Sequence, residues 1–320
     1  MYIIIAFLIL VSVNIALLIF FMRKLHIDWN LYVQAFLYGI LVALLIKGFV
    51  YGIGKEMNMD FYFFEVRILG KNALENFENS YLHFIESLSI QYTIFYTIGV
   101  IILPAILEEV GKFWALRFIA SKKNIGFYST IRTYIYQMLI IALGFSFIEN
   151  IFYLLHFLEM GQYGTTLIQL IILRILVSTT SHLLFSGILA YFYARFVFGK
   201  YDLIDTGGFN MHKKIVSLLK TFHLYYSSLF LIAYRGRLLL LGFILSISFH
   251  IIYNLLIYLE YPIFAIGGLG IGWWIFYRFI LSGHLVDKNL GLIQEKISII
   301  KEMRNIQKRK DAITEENEKA

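Results

Sequence analysis

Long apolar runs decide what this chain can fold into. A hydrocarbon core about 30 Å thick is crossed by a helix of roughly 20 apolar residues. Inside it each backbone N–H and C=O must be bonded within its own segment, which makes helices the natural spanning element. Seven such runs are legible: Tyr2–Met22, Leu31–Gly54, Tyr92–Ile119, Tyr134–Phe157, Thr165–Phe198, Leu238–Leu259 and Tyr261–Leu281. The fold class they predict is all-α, a polytopic transmembrane helical bundle of about seven spans. Only 15% of the 320 residues are charged, against roughly a quarter in soluble domains, and mean hydropathy is +0.72. The first run has no basic leader and no small-residue cleavage site before Arg23, so it reads as a retained anchor. With no cysteines, the chain has no disulfide, thiol nucleophile or Cys-based metal site. Its two prolines, Pro104 and Pro262, leave most spans straight.

Basic residues set the direction of the spans. Arg23 and Lys24, then Arg117, Lys122, Lys123 and Arg132, then Arg195, Lys200, Lys213, Lys214, Lys220, Arg235 and Arg237, and finally Arg278 all fall on one side when the N-terminus is outside. The opposite side holds Lys55, Arg67 and Lys71 amid Glu56, Asp60, Glu65, Glu75, Glu78 and Glu86. That asymmetry predicts an external N-terminus and a cytoplasmic C-terminus. The formal charge of +7 then faces anionic lipid rather than nucleic acid, and no nucleic-acid partner is expected. The organisation expected is a transmembrane protease domain over 1–282 with a motif-bearing core at about 92–259. An extracytoplasmic loop over 55–91, a cytoplasmic loop over 199–236 and a basic helical tail over 283–320 complete it. The outer loop reads as a connector lying on the membrane. In the tail, Ile293, Ile297, Ile300 and Met303 form one apolar stripe, which is more often packing than a partner site.

Ionisable side chains inside the spans are the residues that demand explanation. Each costs about 2.5–3.5 kcal/mol on insertion scales, so such residues are functional candidates. Glu108, Glu109 and Lys112 lie in Leu-Glu-Glu-Val-Gly-Lys on the third span. Glu149 and Asn150 lie on the fourth, His182 on the fifth, and His250 and Asn254 on the sixth. His250 and Asn254 are four apart and share a helix face. Glu108 and Glu109 diverge by about 100°, so one can face a cavity while the other is tied to Lys112. At about 1.5 Å per residue, Glu108 sits roughly 13 Å from Arg117, and His182 and His250 roughly 20 Å from Arg195 and Arg237. Glu149 falls nearer 25 Å from Arg132 on the same measure, which makes it a supporting residue at the edge. Lys47 and Arg174 lie nearer span ends and read as snorkelling cations; His156 and His223 read as interfacial. A lone Glu–Lys pair or a lone His often does no more than fix helix packing. Four such groups at similar depth on four helices point to chemistry.

Known solutions for peptide hydrolysis narrow what that chemistry is. Every Asp lies in a loop, which removes an aspartyl dyad, and His-Glu-x-x-His does not occur. Gly144-Phe145-Ser146 with His250 imitates a serine protease only over a short string among large apolar residues. A carboxylate-plus-imidazole site remains, with Glu deprotonating water and His or Asn stabilising the carbonyl.

The ordered set Glu-Glu-x-x-Lys, Phe-x-x-x-Glu-Asn, His-x-x-Phe-Ser-Gly and His-x-x-x-Asn over Leu103–Asn254 resembles the PrsW family. That family is similar to the wider CAAX-protease and bacteriocin-processing group. The resemblance implies an intramembrane endopeptidase in the cell membrane, multi-pass, performing site-1-type cleavage of a single-pass membrane protein such as an anti-sigma factor. By position it implies Glu108 and Glu109 as essential glutamates and His182 and His250 as the histidines, with Asn254 beside His250. Lys112, Glu149 and Asn150 support them. The CAAX proteases carry Glu-Glu-x-x-x-Arg and end their second motif in His. Here Lys112 comes one residue earlier and Glu149 takes the His place, which argues against a prenylated substrate. The cofactor is none or Zn²⁺: Glu108, His182 and His250 suit a zinc site with an open position, and suit equally a metal-free glutamyl protease. The metal-free form is the nearer of the two on sequence alone.

Two other classes use the same residues. A proton-coupled transporter also builds relays from buried Glu and His, but no inverted repeat or broken helix is visible; a non-catalytic scaffold would bind membrane helices without cutting them. The topology is open to direct test. Cysteines introduced at Lys123 and at Asn79 should differ in reactivity toward a membrane-impermeant label in intact cells, with Asn79 labelled and Lys123 protected. Equal labelling contradicts the orientation.

Overall fold

The computed structural model describes residues 2–23, 29–56, 101–122, 130–159, 161, 163–205, 225–259 and 261–280. Among them the chain is helical throughout, with no strand. In order these are α1 (Tyr2–Arg23), α2 (Trp29–Glu56), α3 (Leu103–Lys122), α4 (Ile131–Glu159), α5 (Thr165–Leu173), a π-helical segment (Arg174–Thr179), α6 (Thr180–Asp205), α7 (Tyr225–Tyr258) and α8 (Pro262–Ile280). Six stretches are long and apolar enough to cross a membrane: Tyr2–Phe20, Trp29–Val50, Ile131–Leu158, Thr165–Phe198, Ile232–Ile257 and Pro262–Ile280. The expected third span, Tyr92–Ile119, is described only from residue 101, where it continues as α3. Most of the expected outer loop, residues 206–224 of the expected cytoplasmic loop, and the tail 283–320 lie outside the described residues.

Most of α4 and of Thr165–Phe198 is buried, whereas α1, α2, α7 and α8 turn most of their apolar surface outward. The two central helices therefore form the axis. The main core gathers Tyr32, Leu116, Ile135, Met138, Phe185, Leu189 and Phe276 from α2, α3, α4, α6 and α8. A second cluster packs Leu10 of α1 on Tyr153 and Phe157 of α4 and Ile171 of α5. In lipid, burying apolar surface between helices gains little, so association rests on close packing and polar contacts, with small residues at the crossings.

The crossing of α2 and α4 is the closest case. A Cβ on Gly39 would stand 2.0 Å from the Ile141 carbonyl oxygen, and one on Gly144 2.2 Å from that of Phe36. Neither helix can approach so closely with any other residue at these positions. This contact draws α2 against α4, two turns before Lys47 on one and just before Glu149 on the other.

The fifth span is not a straight α-helix, as the placement of the prolines implied. Arg174–Thr179 forms a π-turn, which widens the helix locally and is frequent at functional sites. No proline is involved. The hydroxyl of Thr179 instead bonds the α4 side chains of Ser146, at 2.8 Å, and Asn150, at 3.0 Å. Polar contacts between the two axial helices thus sit where the backbone departs from α geometry, directly before His182.

The crossing predicts a contrast within one helix. Gly39→Ala should lower the melting temperature of the detergent-purified protein by several degrees, as overpacking costs about 1–3 kcal/mol and here the clash is with backbone. Gly48→Ala should be tolerated, since nothing lies within 4 Å of its added Cβ. Equal effects in thermal denaturation would contradict the packing.

Candidate metal centre

Four helices deliver a buried cluster of charged and imidazole groups. Glu108, Glu109 and Lys112 come from α3, Glu149 from α4, His182 from α6 and His250 from α7, and each is buried. The two adjacent glutamates have different surroundings. Glu109 is saturated: Oε1 accepts from Lys112 Nζ at 2.5 Å and faces His250 Nδ1 at 3.2 Å, while Oε2 accepts from Ser186 at 3.2 Å and Ser246 at 3.0 Å. Glu108 Oε1 accepts from Lys47 Nζ at 3.1 Å, but its Oε2 is buried without a hydrogen-bond partner.

That oxygen is the focus of the site. His182 Nδ1 lies 3.9 Å from it and His250 Nε2 3.7 Å. The opposite nitrogen of each ring meets a carboxylate: His182 Nε2 stands 2.6 Å from Glu149 Oε2, and His250 Nδ1 faces Glu109 Oε1. A carboxylate can only accept, so these nitrogens carry the protons. In the neutral rings the lone pairs are then left on the atoms that point toward Glu108 Oε2. One ligand atom from each of Glu108, His182 and His250 falls within 4.8 Å of the others. Imidazoles oriented by carboxylates, beside an unpartnered carboxylate oxygen, are the donor set and support of a metal site. The residues fit the group.

Sequence reasoning missed the cations that hold this arrangement. Lys47 does not snorkel: its ammonium, on a side chain only 13% exposed, bridges Glu108 and Glu149 Oε1 at 2.5 Å. Arg174 is likewise buried, with Nη2 3.4 Å from Glu149 Oε2, Nε bonded to Asn150 Oδ1 at 3.3 Å and the guanidinium 3.5 Å from the Tyr153 ring centroid. The reason is neutralisation. A carboxylate cannot stay charged in a dry interior without partners, and Glu149 takes both cations. The available signal was each residue's isolation within an apolar run, Leu-Ile-Lys-Gly and Leu-Arg-Ile.

The other predicted residues divide. Lys112 joins the centre, 3.5 Å from His182 Nδ1 and 4.8 Å from the Phe145 ring centroid. Glu149, which the rise per residue puts about a turn deeper, touches His182 directly. Asn150 supports the π-turn and Arg174 rather than the cluster itself. Asn254 lies half-buried one turn beyond His250 on α7. Ser146 gives its hydroxyl to Thr179, and His250 engages Glu109 and Glu108, so the serine-protease imitation is not assembled.

The chain is thus a multi-pass helical membrane protein with a buried Glu/His/His group at its core. The family is specific: the chain matches the PrsW family intramembrane metalloproteases over residues 27–219 and belongs to that family. A protease role comes with membership. The matched segment contains Lys47, Glu108, Glu109, Glu149 and His182 and ends before His250 and Asn254. Among curated proteins and among solved structures, none matches significantly.

Glu149→Gln should weaken Zn²⁺ binding about tenfold or more, the usual scale for an outer partner of a ligating histidine. Two effects share that sign: a neutral amide orients His182 less well, and Lys47 and Arg174 lose a counter-charge near the cation. Chelator-competition titration of the purified protein reads the loss; unchanged affinity contradicts the role.

Proposed function

We propose that the protein hydrolyses a peptide bond of a single-pass membrane protein within the bilayer, with Glu108, His182 and His250 holding a divalent cation, Zn²⁺ by donor type. The observation that carries this reading is Glu108 Oε2, buried and without a hydrogen-bond partner, faced by one lone-pair nitrogen from each histidine. A cation bound there supplies a Lewis acid for the scissile carbonyl and an acidified water. The chain's own residues do the rest. Glu149 keeps the proton of His182 on Nε2, and Glu109 keeps that of His250 on Nδ1. Ser186, Ser246 and Lys112 fix Glu109 in turn, making it an orienting group rather than a base. Asn254 offers an amide, on the same face as His250, to the negative charge that develops on the carbonyl oxygen.

The resemblance to site-1-type proteases supports an anti-sigma-type substrate, and the distribution of basic residues supports an external N-terminus in the cell membrane. A second reading has its own observation. Lys47, Lys112 and Arg174 already balance Glu108, Glu109 and Glu149. The cluster is therefore neutral before a dication enters, which suits a metal-free site in which Glu108 Oε2 takes the proton from water itself.

Cleavage of a reconstituted substrate by purified protein separates these readings from a transporter or scaffold. Glu108→Gln should lower kcat by about 10²–10⁴-fold, and Glu109→Gln by less, because it acts through His250. A chelator that reaches the membrane interior should abolish cleavage, and Zn²⁺ should restore it. Cleavage that survives chelation but not Glu108→Gln favours the metal-free reading; full cleavage by Glu108→Gln contradicts both.

A further inference from the structure

Lys47 comes from α2, which carries none of the four motifs, yet its ammonium reaches two carboxylates of the centre. It donates to Glu108 Oε1 at 3.1 Å and stands 2.5 Å from Glu149 Oε1. Glu149 uses its other oxygen on His182. One ammonium thus touches the carboxylate that offers a ligand atom and the carboxylate that orients a ligand imidazole. A carboxylate engages a cation through one oxygen or both, and for Glu108 the choice depends on what holds Oε1. Nothing else is bonded to that atom among the described contacts. The Gly39–Gly144 crossing brings α2 close enough for a lysine to serve both.

We infer that Lys47 is a positioning residue of the centre: by clamping Glu108 Oε1 it restricts Glu108 to one-oxygen engagement of the cation through Oε2, and by holding Glu149 it keeps His182 turned toward the same point. This rests on the metal reading given above. Freed of Lys47, Glu108 can turn its second oxygen onto the cation and fill the position that water or substrate needs.

The test uses the full chain in detergent micelles loaded with Co²⁺, whose visible spectrum reports coordination number, alongside cleavage kinetics. Lys47→Met should still take up Co²⁺, but with visible absorption several-fold weaker as the coordination shell expands. Its kcat should fall by about tenfold or more at unchanged KM. Loss of general packing would alter neither spectrum nor kcat selectively. Lys47→Met leaves two buried carboxylates under-compensated, so a charge-balanced pair of variants guards against misfolding. Adding Lys47→Met to Glu149→Gln removes one charge of each sign, and should weaken the Co²⁺ spectrum relative to Glu149→Gln alone. Absence of Co²⁺ binding by the wild type contradicts the metal reading and this role together. Co²⁺ binding with the same spectrum and the same kcat in the presence and absence of Lys47 overturns the role of Lys47 alone.

Discussion

The structure depends on keeping three carboxylates charged inside the buried core of a helical bundle. An isolated ionised group there would sooner neutralise than stay charged, so each glutamate must be answered. Lys112 answers Glu109, Lys47 bridges Glu108 and Glu149, and Arg174 adds to Glu149. Lys112 and Glu109 share α3, but Lys47 ties α2 to α3 and α4, and Arg174 ties the fifth span to α4, so the bundle's arrangement follows from these interhelical pairs as much as from its apolar contacts. Breaking a buried pair by removing one partner typically costs about 3–5 kcal/mol, comparable to a large part of a domain's stability. Such a network makes one arrangement of the helices much better than its neighbours.

Because the charges are satisfied almost everywhere, the exception is informative. Glu109 spends both oxygens on four partners, while Glu108 spends one and leaves the other bare. The histidines show a related asymmetry: each is bonded to a carboxylate on one side and turns its other nitrogen toward Glu108 Oε2, with Lys112 Nζ 3.5 Å from that of His182. Orientation is thus supplied by groups that do not themselves face the reaction point. The π-turn and its hydrogen bonds from Ser146 and Asn150 fix the helix that carries His182. The close crossing at Gly39 and Gly144 brings in Lys47.

Much of this was legible in the sequence. The apolar runs gave the all-helical class and every span the described residues contain. The isolation of Glu108, Glu109, His182 and His250 within them identified groups that the fold brings together. The divergence of adjacent helical positions anticipated that one glutamate would be tied to Lys112, as Glu109 is. Three features were not legible. Lys47 and Arg174 looked like cations near span ends, because rise per residue measures depth but not the direction a long side chain takes. Glu149 looked too deep for the same reason: a glutamate and an imidazole together cover about a helical turn. The π-turn has no proline to announce it and arises from tertiary hydrogen bonds.

The central claim is that Glu108, His182 and His250 converge on one cation. X-ray absorption at the zinc edge of the purified, zinc-loaded protein measures this most directly. The account predicts one zinc per chain with two imidazole nitrogens and a carboxylate oxygen at about 2.0–2.2 Å, and loss of one imidazole contribution in His182→Ala or His250→Ala. Substoichiometric zinc, or a shell of oxygen ligands unchanged by either substitution, would contradict it.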